Sequence, residues 1–228
     1  MTTPLPRLAI ALDAPSLEPV EPLLDALHGL PVLIKVGLSL YTAVGPSVVH
    51  HMRLAGFAVF LDLKLHDIPH QVALAVAAAS RLGVDLLTVH AAGGLAMLQA
   101  AAAAAHGQTR IIGVTVLTSM DQSDLAQTQV NGDLRHVVAE RARLCQQAGL
   151  NGVVLGAPDL HELLDFPRQF LRVVPGIRLP DAVADDQRRT ATPAEAMAAG
   201  ASLLVVGRPI TMAADPRAQT QAILAAMG

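Results

Sequence analysis

The segment Phe60-Leu61-Asp62-Leu63-Lys64-Leu65-His66-Asp67-Ile68-Pro69 sets three charges within six positions directly after an apolar run. Side chains two apart on an extended strand share a face, so Asp62 and Lys64 are expected to point the same way. Asp67 lies past the strand, just ahead of Pro69, whose fixed φ suits the first turn of a helix. An ammonium flanked by carboxylates is held charged by the opposite sign. Such a lysine donates a proton or clamps an anion, and is poorly suited to attack a carbonyl as a free amine. Each residue alone has a plainer use. Asp67 could cap the helix at Pro69, and Asp62 with Lys64 could be an ordinary ion pair. Lys35 could be a strand-end lysine with its head in water, and Asp13 a turn residue before Pro15. His66 and His90 read as packing or hydrogen-bonding residues rather than ligands.

Two later segments pair glycine with arginine: Pro175-Gly176-Ile177-Arg178 and Val206-Gly207-Arg208-Pro209-Ile210. Glycine lets the backbone approach an anion, and a guanidinium fork matches phosphate oxygens. Together they point to a phosphorylated small molecule.

The elements that position these residues are short apolar runs at 8–12, 32–36, 57–63, 85–89, 110–116, 152–155, 171–174 and 203–206. Most are apolar throughout rather than alternating, as in parallel strands covered on both faces. Alanine- and leucine-rich helical stretches separate them, for instance 71–82, 95–106, 134–147 and 194–199. Eight strand-then-helix units in this length predict an α/β fold, a single-domain (β/α)8 TIM barrel spanning residues 1–228. A doubly wound open sheet is the alternative, but no G-x-G-x-x-G follows the first run. In a barrel, chemistry sits after the strands' C-terminal ends, and phosphate is commonly held after strands 7 and 8. Asp13, Lys35, Asp62, Lys64, His90, Thr118, Ser119, Arg178, Gly207 and Arg208 all fall at such ends.

Composition narrows the function further. The chain is 52% hydrophobic and 15% charged with a net charge of −3, which excludes disorder. Aromatics are 2% and Lys and Arg are scattered, so no nucleic-acid footprint is present. Cys145 is the only cysteine, which excludes an intrachain disulfide and a Cys-rich zinc site. Residues 86–109 carry no formal charge and are long enough to span a bilayer. They include His90, Gly93, Gly94, Gln99 and His106 among weakly apolar alanines, so a strand, a glycine turn and a packed helix are expected instead. The first apolar run ends at Asp13, too short for a secretory signal, and a cytoplasmic protein without membrane contact is expected.

The chain resembles the bacterial orotidine 5′-monophosphate decarboxylases. The resemblance runs through Leu12-Asp13, Lys35-Val36-Gly37, Asp62-Leu63-Lys64, His66-Asp67-Ile68-Pro69, Val89-His90-Ala91, Leu117-Thr118-Ser119-Met120, Pro175-Gly176-Ile177-Arg178, Asp186-Gln187-Arg188-Arg189 and Gly207-Arg208-Pro209-Ile210-Thr211. It implies conversion of orotidine 5′-monophosphate to uridine 5′-monophosphate and carbon dioxide, the last step of de novo pyrimidine synthesis, with no metal or other cofactor. It implies that Lys64 protonates C6 of the pyrimidine and that Asp62 lies near the departing carboxylate. Asp67 would come from the other subunit of a homodimer, with Ile68 and Gln71 beside it also reaching substrate. Asp13 and Lys35 would hold ribose hydroxyls, Lys35 also joining the charged network with Asp62, Lys64 and Asp67. Thr118 would contact the pyrimidine, and Arg178, Gln187, Gly207 and Arg208 the phosphate. The stretch 179–190 and the connection after Thr118 are candidate lids.

One departure stands out: His70 and Gln71 occupy positions where bacterial members typically carry Asn and Thr. Gln71 keeps a hydrogen-bonding side chain, so a modest effect on affinity is expected. Two other classes compete. A magnesium-dependent sugar-phosphate enzyme would need a carboxylate near the end of strand 2, where Lys35 stands. A non-catalytic phosphate-binding barrel would not require Lys64 between two carboxylates.

Overall fold

The eight apolar runs form eight parallel strands that close on themselves. The computed structural model describes residues 5–178 and 190–228. The strands are β1 (Leu8–Leu12), β2 (Val32–Gly37), β3 (Ala58–Leu65), β4 (Leu86–His90), β5 (Arg110–Val114), β6 (Gly152–Val154), β7 (Leu171–Val174) and β8 (Leu203–Val206). Each pairs in parallel with the next in sequence, and β8 returns to β1, so the sheet is a closed barrel.

Helices cover the outside. They are α1 (Glu21–Leu27), α2 (Leu38–Val44), α3 (Ser47–Leu54), α4 (Pro69–Arg81), α5 (Gly94–Ala104), α6 (Gln122–Gln127), α7 (Leu134–Gln147), α8 (Pro193–Ala198), α9 (Arg208–Thr211) and α10 (Pro216–Ala226). Pro69 opens α4 as expected for its fixed φ. Among the described residues no helix is long and apolar enough to cross a membrane. The uncharged stretch resolves into β4, a glycine turn and α5.

Strand alternation divides the core in two. Leu8, Ile10 and Leu12 of β1 face the helices and join the large outer cluster. Ala9 and Ala11 face the barrel axis with Leu33, Phe60, Leu86 and Ile112. The same inward rows continue upward into polar residues: Leu33 to Lys35, Phe60 to Asp62, and Leu86 to Thr88. Lys35, Asp62 and Thr88 are thus buried polar groups resting on an apolar plug.

The β3–β4 pairing is irregular. Leu61 pairs with Leu87 and Leu65 with Val89, so three residues of β3 face the single Thr88 of β4. Lys64 takes φ +50° within this bulge. The left-handed region is disfavoured for a residue with a Cβ, and such outliers gather at functional sites.

Candidate active site

The inward rows of β2, β3 and β4 meet on the Asp62 carboxylate. Lys64 Nζ donates to both its oxygens, each at 2.9 Å. Lys35 Nζ lies 3.3 Å from Oδ2, and the Thr88 hydroxyl donates to Oδ1 at 2.9 Å. Lys35 Nζ also lies 3.9 Å from Oδ1 of Asp13, whose side chain is 68% exposed. Burial pushes the Asp62 carboxyl up, but Lys35, Lys64 and the Thr88 hydrogen bond together outweigh it and hold the carboxyl below its ordinary value. Asp62 and Lys64 do share one side, as strand spacing predicted. They do so through a bulge with a left-handed Lys64, not through regular alternation.

Above the plug opens a cavity of about 320 Å³. Asp13, Lys35, Asp62, Lys64, Thr118, Arg178, Gly207 and Arg208 all line it, so the structure brings together eight of the residues singled out in the sequence. Its remaining wall includes Phe60, Val114, Val116, Val154, Pro175 and Val205. The result is a cavity of mixed polar and apolar lining that holds two ammoniums, two carboxylates and two guanidiniums. That suits a small molecule carrying anionic groups.

Glycine has a spatial role at Gly37. A Cβ there would lie 2.8 Å from Asp13 Oδ1 and 3.4 Å from Lys35 Nζ, so any side chain would displace the carboxylate from the cavity edge.

Asp67, Ile68 and Gln71 do not line this cavity. All three are exposed beyond β3. The Asp67 carboxylate accepts from the Ile68 N–H at 2.6 Å, while Ile68, the residue ahead of α4, offers no side-chain cap. Gln187 and residues 179–189 of the first candidate lid lie outside the described residues. The connection after Thr118 carries α6, whose start is fastened by reciprocal bonds between Asp121 and Asp124.

Thr88 was not singled out from the sequence. Its hydroxyl sits within an apolar run, where threonine reads as a β-branched strand former. The signal was its place in the inward row between Leu86 and His90. His90 stacks on His66 with ring centroids 5.4 Å apart.

Comparison with known proteins adds to this geometry. The family described as Orotidine 5′-phosphate decarboxylase / HUMPS family matches residues 6–223. The chain belongs to that family. It is similar to the Orotidine 5′-phosphate decarboxylase of Idiomarina loihiensis, 44% identical over 228 residues that cover 98% of this chain and 99% of the relative. It is likewise 48% identical to that of Halorhodospira halophila, covering 96% of this chain and 95% of the relative. Among solved structures, Orotidine 5′-phosphate decarboxylase from Lactobacillus acidophilus superposes with a TM-score of 0.86 at 32% identity, covering 97% of this chain and 98% of that one. An uncharacterized conserved protein from Geobacillus kaustophilus superposes with a TM-score of 0.85 at 36% identity, covering 97% and 100%. The two solved structures share the barrel nearly end to end.

Proposed function

We propose that the protein decarboxylates orotidine 5′-monophosphate to uridine 5′-monophosphate, with Lys64 as the proton donor. The observation that carries this reading is the Lys64 ammonium, bound 2.9 Å from both Asp62 oxygens, in a cavity that Arg178 and Arg208 also line.

The chemistry follows from charge. The bond between C6 and the carboxylate breaks, CO2 leaves, and the electron pair stays on an sp² carbon that the ring cannot delocalise as an enolate. A fixed ammonium, in place before the charge develops, is the available stabiliser. Lys64 gives its proton to C6 and regains one from solvent. Asp62 keeps that ammonium charged and oriented, and its negative charge repels the substrate carboxylate until CO2 departs. Asp13 and Lys35 hold the ribose hydroxyls, and Thr118 contacts the pyrimidine. Arg178, Gln187, Gly207 and Arg208 take the phosphate, whose binding helps hold the ring against Lys64. No metal or organic cofactor takes part in this scheme.

The working unit in this reading is a homodimer in which Asp67, Ile68 and Gln71 serve the partner's cavity. Their absence from their own cavity supports it, as do the exposed Leu38, Ile68 and Leu74, apolar groups that a subunit contact would cover. A cytoplasmic site of action goes with this activity.

The test is the fall in ultraviolet absorbance of orotidine 5′-monophosphate on adding purified protein, with and without EDTA. Rapid turnover insensitive to chelator is expected. No turnover by folded protein would assign the cavity to another phosphorylated substrate, and loss with EDTA would favour a metal-dependent enzyme.

A further inference from the structure

We infer that Thr88 is a positioning residue for this chemistry: its single hydroxyl locks the Asp62 carboxylate and the Lys64 backbone together, and so fixes where the Lys64 ammonium stands. The inference rests on the decarboxylase reading above.

Thr88 is fully buried in the inward row of β4. Its Oγ1 accepts from the Lys64 backbone N–H at 2.8 Å and donates to Asp62 Oδ1 at 2.9 Å. A hydroxyl has one proton and two lone pairs, so both bonds are made at once by one atom. They fall where β3 departs from regular pairing, three of its residues facing Thr88 alone. The bulge takes the Lys64 N–H out of the regular strand ladder, and Thr88 supplies the acceptor that a neighbouring strand would otherwise give. Lys64 is therefore held at three points: backbone N–H to Thr88, and Nζ to each oxygen of a carboxylate that Thr88 also grips.

Valine has nearly the shape of threonine and suits a buried strand, but makes neither bond. Thr88→Val leaves the Lys64 N–H unpaired in the interior and takes one donor from Asp62. Thr88→Ser restores both bonds.

The experiment compares wild type, Thr88→Val and Thr88→Ser in decarboxylation of orotidine 5′-monophosphate across pH, with Tm measured for each. An ångström of misplacement at a reacting group costs up to about a hundredfold, so kcat of Thr88→Val is expected to fall about ten- to a hundredfold. KM should stay within about threefold, because the groups that bind ribose and phosphate are untouched. Losing a hydrogen bond to the charged carboxylate raises the pH at which Asp62 takes up a proton. The acid limb of kcat/KM therefore moves to higher pH in Thr88→Val and stays put in Thr88→Ser, whose kcat recovers. A role in packing alone would lower Tm without moving that limb. If Thr88→Val does not fold, Thr88→Ala against Thr88→Ser makes the same comparison of hydroxyl absent and present. Wild-type kcat and an unmoved acid limb in the hydroxyl-free variant would overturn the inference, as would failure of serine to restore kcat. An inactive wild-type protein overturns the decarboxylase reading itself, a result visible before any variant is made.

Discussion

The Lys64 ammonium and the Asp62 carboxylate form a two-point contact, 2.9 Å to each oxygen, in which the lysine holds a left-handed backbone. The same carboxylate takes Lys35 at 3.3 Å. Lys35 also reaches Asp13 at 3.9 Å, so two ammoniums and two carboxylates stand in alternation beside the cavity. Asp62 is tied at once to Lys64, Lys35 and Thr88, so the carboxylate has little freedom to turn and the cluster is held as well as charged. That rigidity is what an electrostatic catalyst needs: its charges are in place before the transition state forms.

The dimer reading makes a sharp prediction about which chain supplies Asp67. Lys64→Ala and Asp67→Ala proteins, each expected to be nearly inactive, are mixed under conditions where subunits exchange. A hybrid pair has one cavity with its own Lys64 and the partner's Asp67. Random exchange should restore about a quarter of wild-type sites. No recovery in a mixture shown to contain hybrids would mean Asp67 serves its own chain or no site at all.

Arg208 offers a test at the phosphate end. A charge-assisted hydrogen bond is worth about 1.5–3 kcal/mol, so Arg208→Ala should lower kcat/KM about ten- to a hundredfold or slightly more. Most of the loss is expected in KM. Steady-state kinetics check it, and an unchanged KM would remove Arg208 from phosphate binding.

His90 carries a prediction about acid pH. Burial, with His66, Arg141 and Lys64 nearby, lowers its pKa from 6.5 to about 4. A folded value below the unfolded one means the unfolded chain takes up the proton first as pH falls. Stability from this group is therefore full above the unfolded value, declines between 6.5 and about 4, and is gone below. The His90 ring resonance should titrate near 4, and His90→Gln should flatten the pH slope of the denaturation midpoint in that window. A midpoint near 6.5 would contradict this. A neutral His90 also keeps a further positive charge away from Lys64.

The barrel was legible because parallel strands buried on both faces leave continuous apolar runs, and all eight runs became strands. The rim followed from the rule that loops after strands carry chemistry: of the ten residues it gathered, Asp13, Lys35, Asp62, Lys64, Thr118, Arg178, Gly207 and Arg208 line the cavity, while His90 and Ser119 do not. The bulge was not legible. Nothing in Leu63-Lys64-Leu65 marks a lysine for positive φ, since the register is set by what β4 offers across the gap. Thr88 was missed for the related reason that its value lies in two tertiary hydrogen bonds rather than in local sequence. Asp67 shows a different limit. The resemblance assigned it to the partner's cavity, and within its own chain the turn into α4 leaves Asp67 on the surface, so its role lies in contacts between chains that spacing along one sequence does not display.

The central claim is that Lys64 protonates the pyrimidine. The most direct measurement is the decarboxylation rate of Lys64→Ala beside wild type, with binding of uridine 5′-monophosphate measured on the same samples. Loss of a general acid that is also the main charge stabiliser predicts a fall of at least about a thousandfold in kcat. Nucleotide binding should persist, since the substitution removes none of the residues assigned to the phosphate and ribose. A Lys64→Ala protein that decarboxylates at the wild-type rate would contradict the account.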